Sequence, residues 1–311
     1  MRASFENMNF PKKYKKWLCE NTESLCGKRV AITGSTGGLG KETCLYLAAL
    51  GASLVLVDRN AKRSAALAKE LCERFPSLSV ERVECDLSSV SSVKEAAERL
   101  YGMEIDIFIH NAGAYSIPRC ISDSGYDNVF TINFISPYYL IKTLLPSLRE
   151  RGGRVIVVGS IAHNYSYIDE GDVDFRGVRA ASKVYGNAKR YLMFSLYELF
   201  KSEESVSLSV VHPGISFTGI TAHYPKVIFA IIKYPMKVIF MKPRAACLSI
   251  VKGVFCDTGA YEWIGPRIFG IWGMPKKSAL RRRREGEGKF VHITAEKIYK
   301  EIKNGKESNE A

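Results

Sequence analysis

Two side chains with complementary proton chemistry lie four residues apart in Lys183-Val-Tyr-Gly-Asn-Ala-Lys189. Apolar residues recur at helical spacing over residues 184–200, so Tyr185 and Lys189 are expected on one face of a helix. A free phenol has a pKa of about 10, and a neighbouring ammonium group favours its ionised form. The pair therefore predicts a tyrosine that can donate and accept a proton at one place in the fold.

A glycine-rich turn near the start of the chain could bind an anion. Gly34, Gly38 and Gly40 occur in Thr33-Gly-Ser-Thr-Gly-Gly-Leu-Gly40, between a short apolar run and a helix-periodic segment. In a strand-turn-helix unit of this kind, backbone N–H groups and the helix N-terminus meet the charge of a pyrophosphate. Glycines also occur in turns for steric reasons alone, but this context favours a dinucleotide site.

The end of the second apolar run bears on which dinucleotide would bind. Asp58 is placed to accept hydrogen bonds from ribose hydroxyls and to repel a 2′-phosphate, which favours NAD. Arg59 follows directly, and its guanidinium could pair with that phosphate or stack on adenine, which favours NADP. We favour NAD and keep NADP as the alternative.

Two further strand ends carry polar or small residues. Asp86 follows the third apolar run and is placed to accept a hydrogen bond from an adenine amino group. Asn111-Ala-Gly113 follows the fourth run and brings small residues beside the adenosine. Ordinary turn chemistry is the alternative for both segments.

Six apolar runs alternate with helix-periodic segments, and this alternation would position all of these side chains. The predicted strands cover residues 30–33, 53–57, 80–85, 105–109, 155–158 and 206–211, and the predicted helices include 41–50, 61–75, 129–148 and 184–200. Repeated crossovers indicate an α/β fold with a Rossmann-type, doubly wound parallel sheet in one domain, residues 28–275. We expect a basic extension before it, residues 1–27, and a weakly packed basic tail after it, residues 276–311, with a short helix at 294–303.

The formal net charge of +13 is concentrated near the two ends of the chain. Lys12-Lys13-Tyr-Lys15-Lys16 lies near the start, and a run of four arginines, residues 281–284, lies near the end. Solvated termini are one interpretation. The other is peripheral attraction to anionic lipid headgroups, which Trp17 and Leu18 would strengthen. We expect no nucleic-acid partner, because no recognition helix or alternation of aromatic and basic residues accompanies the charge.

The cysteines indicate the compartment. Eight cysteines include no C-x-x-C pair and no spacing typical of zinc ligands, so we expect no metal. Several lie in apolar stretches, where cysteine behaves as a small hydrophobic residue. A reducing, cytoplasmic environment is the interpretation that we favour.

The order of these motifs along one chain resembles the short-chain dehydrogenase/reductase family in its single-domain form. The resemblance covers residues 28 to about 218 and rests on the glycine spacing, Asn111-Ala-Gly113, Ser160 and the Tyr-x-x-x-Lys pair. The segment after Tyr185 resembles retinol-dehydrogenase-like members, with similarity also to hydroxysteroid dehydrogenases. His110 departs from the family pattern, which usually has Asn there, but no catalytic group is lost.

The resemblance implies an NAD(P)-dependent exchange between an alcohol and a ketone or aldehyde. Tyr185 would be the general acid and base, Lys189 would favour its phenolate, Ser160 would bond the substrate oxygen and Asn133 would hold a water linked to Lys189. The residues that the resemblance places against the cofactor, besides Tyr185 and Lys189, are Gly34, Ser35, Thr36, Gly38, Leu39, Gly40, Asp58, Arg59, Asp86, Leu87, Asn111, Ala112, Gly113, Pro213, Gly214, Ile215 and Thr218.

An apolar segment after Thr218 is expected to cover the substrate, over residues 219–245. Its composition favours a lipophilic alcohol or ketone, such as a steroid, a retinoid or a long-chain compound. Lysines and prolines interrupt the segment, so we do not expect it to span a membrane. A dimer or membrane contact through the same surface stays open, and the family resemblance implies a homodimer or homotetramer. Two functions from other classes also remain: a non-catalytic dinucleotide sensor and a membrane-surface adaptor.

Overall fold

A single twisted sheet forms the centre of the computed structural model, which describes residues 11–214, 241–280 and 285–305. Its strands are β1 (Arg29–Thr33), β2 (Ser53–Asp58), β3 (Val80–Glu84), β4 (Ile107–His110), β5 (Arg154–Val158), β6 (Ser207–Val211), β7 (Glu262–Ile268) and β8 (Trp272–Ala279). They are ordered β3-β2-β1-β4-β5-β6-β7-β8. Each neighbouring pair of strands from β3 through β7 in this order is parallel. Within the described residues, the edge strand β8 alone pairs antiparallel, with β7.

Helices cover both faces of the sheet. They are α1 (Lys12–Asn21), α2 (Gly38–Ala49), α3 (Ala61–Arg74), α4 (Val90–Tyr101), α5 (Asn128–Phe130), α6 (Ser136–Glu150), α7 (Ala181–Leu199), α8 (Pro243–Ala246), α9 (Leu248–Phe255) and α10 (Glu287–Asn304). In β1, Ala31 belongs to the apolar core on one face, while Val30 and Ile32 belong to the core on the other. Both faces are buried, as a continuous apolar strand requires. The predicted doubly wound α/β fold is confirmed.

The carboxyl ends of the parallel strands meet at one edge of the sheet. The strand order reverses beside β1, between its neighbours β2 and β4. In sheets of this kind ligands bind in the crevice at that reversal. Thr33, Asp58 and His110 end the three strands there.

The predicted helix over residues 129–148 is interrupted. The chain forms the short helix α5, a π-helical turn over Thr131–Ile135, and then α6, whose first turn contains Pro137. Apolar periodicity alone does not distinguish a π turn from an α-helical one, because both keep one face buried. The π turn carries Asn133.

The N-terminal helix α1 packs on the sheet domain. Trp17 and Leu18 are 9% and 0% exposed and belong to the same apolar core as Leu25. The expectation that these two side chains strengthen a membrane contact was therefore wrong, since they face the protein interior. Lys12, Lys13 and Lys16 remain exposed on the other side of the helix.

The described part of the C-terminal tail is well packed, contrary to the expectation from sequence. Helix α10 is longer than the predicted helix and packs on α7 and α6, burying Val291, Ala295 and Ile298. The boundaries at residues 27 and 275 stay predictions. The arginine run and most of the predicted substrate cover lie outside the described residues, and the cover is described only from residue 241, just before α8.

Candidate active site

Two adjoining cavities open at the crevice where the strand order reverses. The smaller, of about 210 Å³, is lined by residues at the ends of β2 and β3, including Asp58, Arg59 and Asp86. The larger, of about 540 Å³, is lined by Tyr185 and other residues at the ends of β5 and β6. Both share the glycine-rich turn, and a ligand that fills both would cross it.

The glycine-rich turn leaves no room for side chains. Gly34 has a φ of +67°, in the left-handed region that glycine adopts without strain. A Cβ on Gly40 would press against the carbonyl oxygen of Gly34 and lie 2.8 Å from Cα of Ser35. Helix α2 begins at Gly38, so its unpaired N–H groups face the turn. The turn therefore fits a pyrophosphate, as the glycine spacing predicts.

Asp58 bonds the glycine-rich turn. Its buried carboxylate accepts a hydrogen bond from the Ser35 hydroxyl, one from Thr36 N at 3.1 Å and one from Thr36 Oγ1 at 3.0 Å. Ser35 is fully buried and is not among the residues that line either cavity, whereas Thr36 lines both. Most of the acceptor capacity of Asp58 is thus used within the protein.

The smaller cavity has a second arginine that sequence reasoning missed. Arg63 and Asn60 line it together with Arg59. Asn60 caps helix α3 by accepting a hydrogen bond from Arg63 N at 2.9 Å, and Arg63 Nη2 donates to Thr36 O at 2.9 Å. The signal in the sequence was the spacing of Arg63 four residues after Arg59, at the start of a predicted helix.

The loops after β3 and β4 complete the smaller cavity. Asp86 and Leu87 line it, and Asp86 Oδ1 accepts hydrogen bonds from Ser88 N at 2.9 Å and Ser88 Oγ at 2.6 Å. Asn111 Nδ2 donates to the carbonyl oxygens of Thr33 and Gly34, each at 3.0 Å, and so fixes the end of β4 against the turn. Ala112 and Gly113 line both cavities, and Gly38, Leu39 and Gly40 line the larger one.

The larger cavity brings Ser160, Tyr185 and Lys189 together. Ser160 Oγ accepts a hydrogen bond from Ala162 N at 3.1 Å, and the Ser160 side chain is close enough to Tyr185 to lower the pKa of the phenol. Lys189 Nζ lies 5.7 Å from the ring centroid of Tyr185. Tyr115, which sequence reasoning also missed, packs edge-on against Tyr185 with ring centroids 5.4 Å apart. The predicted pair does share one helix face, on α7.

Burial shifts the two titratable groups in opposite directions. It raises the pKa of Tyr185 to about 12, and the hydrogen bond with Ser160 opposes that rise. It lowers the pKa of Lys189 to about 8. Lys189 Nζ donates to Val158 O at 3.0 Å. At neutral pH the site therefore holds a neutral phenol that can donate a proton, beside an ammonium group.

Asn133 is fully buried and is not among the residues that line the two cavities. Its Nδ2 donates to the carbonyl oxygens of Ala114 and Val129, each at 2.8 Å, and its Oδ1 accepts from Ala114 N at 3.2 Å. A Cβ on Gly113 would lie 2.8 Å from Asn133 Oδ1 and 3.6 Å from Lys189 Nζ. The π turn thus places Asn133 beside the loop that approaches Lys189, and the water assigned to it stays a prediction.

His110, the departure from the family pattern, is structural. Its Nδ1 lies 3.1 Å from Thr33 Oγ1, which also accepts the amide N–H groups of Asn111 and Ala112. Burial, together with the charge of Lys189, holds the pKa of His110 well below its usual value. A neutral imidazole can accept a hydrogen bond from the Thr33 hydroxyl. His110 and Thr33 together thus connect β1 to the end of β4 and the loop after it.

The remaining predicted contacts are partly described. Pro213 and Gly214 line the larger cavity, whereas Ile215 and Thr218 lie outside the described residues. Across residues 11–214, 241–280 and 285–305, no group of three His, Cys, Asp or Glu side chains has metal-ligand geometry. The eight cysteines are free. No helix in these ranges is both long and apolar enough to cross a bilayer.

The chain is similar to several known proteins. The short chain dehydrogenase family description matches residues 28–226. Retinol dehydrogenase 13 of Homo sapiens is 28% identical over 211 residues, covering 66% of this chain and 64% of the relative. Polyprenol dehydrogenase of Mus musculus is 24% identical over 258 residues, covering 79% and 74%. A solved protein of Mycobacterium paratuberculosis has the same fold, with a TM-score of 0.70 at 24% identity over 90% of this chain and 96% of that one.

The family match and the geometry agree. The matched residues contain the glycine-rich turn, the π turn with Asn133, and the Ser160, Tyr185 and Lys189 cluster. The match spans slightly less than two thirds of the length of retinol dehydrogenase 13. The chain belongs to the short-chain dehydrogenase family.

Proposed function

We propose that the protein is an NAD(P)-dependent oxidoreductase that interconverts an alcohol and its ketone or aldehyde, with Tyr185 as the general acid and base. The observation that carries this proposal is one cavity lined by Tyr185, Ser160 and Lys189 together with the glycine-rich turn. A dinucleotide across the turn would place its reactive end beside these three side chains. The catalytic and cofactor roles of the individual residues are part of the proposal.

Each side chain has a distinct task in carbonyl reduction. A nicotinamide cofactor held by the glycine-rich turn would supply the hydride for the carbonyl carbon. The neutral phenol of Tyr185 gives its proton to the carbonyl oxygen as negative charge develops there, and Ser160 stabilises that charge by hydrogen bonding. Lys189 presents a positive charge close to the phenolate that remains. Alcohol oxidation uses the same groups in reverse.

The contacts in the smaller cavity support NADPH over NADH. NAD was favoured from the sequence because Asp58 was expected to face the ribose. In the structure, however, Ser35 and Thr36 donate three hydrogen bonds to the Asp58 carboxylate and use most of its acceptor capacity. Arg59 and Arg63 line the same cavity and carry guanidinium groups suited to a 2′-phosphate.

Arginine variants test this preference. We expect Arg63→Met to raise the Kd of NADPH by about tenfold, since about 1.4 kcal/mol of charge-assisted bonding is lost, while the Kd of NADH stays nearly unchanged. Arg59→Met should act in the same direction. Arg74→Met, at the exposed end of the same helix α3, is the matched control. Equal weakening of both cofactors would contradict the preference.

The substrate is proposed to be lipophilic, such as a steroid, a retinoid or a long-chain alcohol. Ile161, Tyr115 and Tyr165 line the larger cavity and give it an apolar wall. Two relatives, retinol dehydrogenase 13 and polyprenol dehydrogenase, are named for a retinoid and a long-chain alcohol. We also propose peripheral contact with a membrane, which fits a lipid-derived substrate. A cytoplasmic location and a homodimeric or homotetrameric state are proposed as well.

The first experiment measures cofactor binding and turnover together. We expect NADPH or NADH fluorescence to change on binding, and absorbance to fall with lipophilic ketones or aldehydes. Tyr185→Phe should lower kcat by at least about 100-fold while cofactor affinity is kept, because it removes only the proton donor. Tyr101→Phe, 45% exposed on α4, is the matched control. Cofactor binding without turnover on any carbonyl compound would favour the sensor, and no cofactor binding would leave the membrane-surface adaptor.

A further inference from the structure

We infer that Glu287 and Arg190 are positioning residues for Ser160, and that helix α10 thereby supports the active site. This inference rests on the proposed function, in which Ser160 bonds the substrate oxygen. Glu287 is the first residue of α10, and Arg190 directly follows Lys189 on α7.

The ion pair between the two helices is fully buried. The side chains of Arg190 and Glu287 are 0% and 4% exposed. Arg190 Nε donates to Glu287 Oε1 at 2.7 Å, and Arg190 Nη2 bonds both carboxylate oxygens, with Oε2 at 2.5 Å. A two-pronged pair of this kind fixes the orientation of the guanidinium plane. The remaining nitrogen, Nη1, is thereby aimed in one direction.

That nitrogen bonds the loop that carries Ser160. Arg190 Nη1 donates to the carbonyl oxygen of His163 at 2.9 Å. His163 in turn donates twice to the carbonyl oxygen of Ser160, from its backbone N at 3.2 Å and from its ring Nδ1 at 2.6 Å. His163 is fully buried, and Trp263 packs edge-on against its ring with centroids 5.3 Å apart. A continuous series of bonds therefore leads from α10 to the backbone of Ser160.

The location of the pair argues that it acts on catalysis as well as on stability. Replacing a buried ion pair with apolar side chains of similar size is often neutral or stabilising, so burial alone does not explain its presence. The pair directs its free donor to the turn over Ile161–Tyr165, whose first residue follows Ser160. A shift of about 1 Å in a catalytic group can cost about 100-fold in rate, so a firmly held turn has a chemical use.

The test removes both charges together. Glu287→Gln alone would leave Arg190 charged and unpaired in the interior, and misfolding could follow, so the double variant Arg190→Met/Glu287→Met is compared with the wild type. Glu296→Gln is the matched control, because Glu296 pairs with Lys142 of α6 from the same helix α10 without a bond to the Ser160 loop. We expect the double variant to fold and to keep its affinity for NADPH.

The steady-state kinetics of the double variant are measured alone and in a Ser160→Ala background. We expect kcat to fall about tenfold with KM nearly unchanged in the double variant, and no change in the control. In a Ser160→Ala background the same double substitution should have almost no further effect on kcat, because both changes act through one group. A double variant with wild-type kcat, or with full additivity to Ser160→Ala, would overturn the inference.

Hydrogen exchange separates this inference from the proposed reaction. Amide deuterium uptake over residues 160–166 should rise in the double variant and stay at the wild-type level in the Glu296→Gln control. A wild type that turns over no carbonyl compound would refute the proposed function, and the exchange result would still decide whether the pair orders this loop. Unchanged uptake over these residues would overturn the inference in either case.

Discussion

Tyr185 and Lys189 place a partly buried phenol and a buried amino group on one helix turn. Burial favours the neutral form of each group, which raises the pKa of the phenol and lowers that of the amine. The sequence predicted the pair and its shared face. The expectation that Lys189 would lower the pKa of this phenol was wrong, because burial raises it, and the residues that bury it come from distant parts of the chain.

The lowered pKa of Lys189 predicts a pH-dependent stability. The pKa falls from 10.5 to about 8 on folding, so between these values the unfolded chain binds more protons, and stability rises with pH. Relative to Lys189→Met, the wild type should therefore gain on the order of 3 kcal/mol in unfolding free energy from pH 7 to pH 10.5. Denaturant unfolding of both proteins without cofactor measures this difference. If the difference in unfolding free energy between the two proteins did not change with pH, folding would not lower the pKa of Lys189.

Gly40 predicts a steric effect on cofactor binding. The Cβ of Gly40→Ala would press against the Gly34 carbonyl and Ser35 Cα, and the turn would have to move. We expect the Kd of NADPH to rise by at least about tenfold and stability to fall by about 1–3 kcal/mol. Gly102→Ala, whose Cβ would meet only Arg99 O at 3.8 Å, is the control. An unaltered Kd of NADPH for Gly40→Ala in titration calorimetry would contradict the assignment of the glycine-rich turn to cofactor binding.

At the scale of elements, the central strands were predictable and the later ones were not. Strands β1, β2, β4 and β5 are short apolar runs between turn residues, and two faces buried by helices select such runs. Strands β7 and β8 each contain one proline and one glycine, which argue against a central strand but are tolerated near a sheet edge. The packing of Trp17 on α1 and of the C-terminal helix α10 was misjudged because their burial depends on partners far away in sequence.

Helix α10 offers a matched pair of isoleucines for measuring its contribution. Ile298 is 2% exposed in the core, and Ile293 is 68% exposed on the same helix. We expect Ile298→Ala to lower the unfolding free energy by about 2–4 kcal/mol through lost burial and a cavity. Ile293→Ala should change it by less than about 0.5 kcal/mol. Similar values for the two variants in denaturant unfolding would mean that α10 does not pack as described.

For the whole molecule, the net charge of +13 and the burial of Trp17 and Leu18 limit how the N-terminal helix could meet a membrane. Lysines on the exposed side of α1 can attract anionic headgroups. The apolar side chains of this helix are used in the core, so insertion through them would require unpacking. Contact through α1 would therefore be electrostatic and sensitive to salt.

Vesicle co-sedimentation tests this electrostatic contact. We expect binding to vesicles rich in anionic phospholipid at low ionic strength, and its loss at about 0.5 M salt, because the charges are then screened. Replacing Lys12, Lys13 and Lys16 with glutamine should weaken binding without changing the melting temperature. Vesicles of neutral phospholipid are the control. Binding that persists at high salt would indicate insertion through another surface.

The outer strands of the sheet also have a consequence for colloidal behaviour. Strand β8 carries Pro275, which lacks an N–H donor, and two adjacent lysines, while three of the five residues of β3 at the opposite edge are charged. Proline and charge on an edge strand make it a poor template for an incoming chain. We expect concentrated protein to resist sheet-to-sheet aggregation, and light scattering should rise in the double variant Pro275→Val/Lys277→Val. The same features make these two edges poor surfaces for a homodimer or homotetramer.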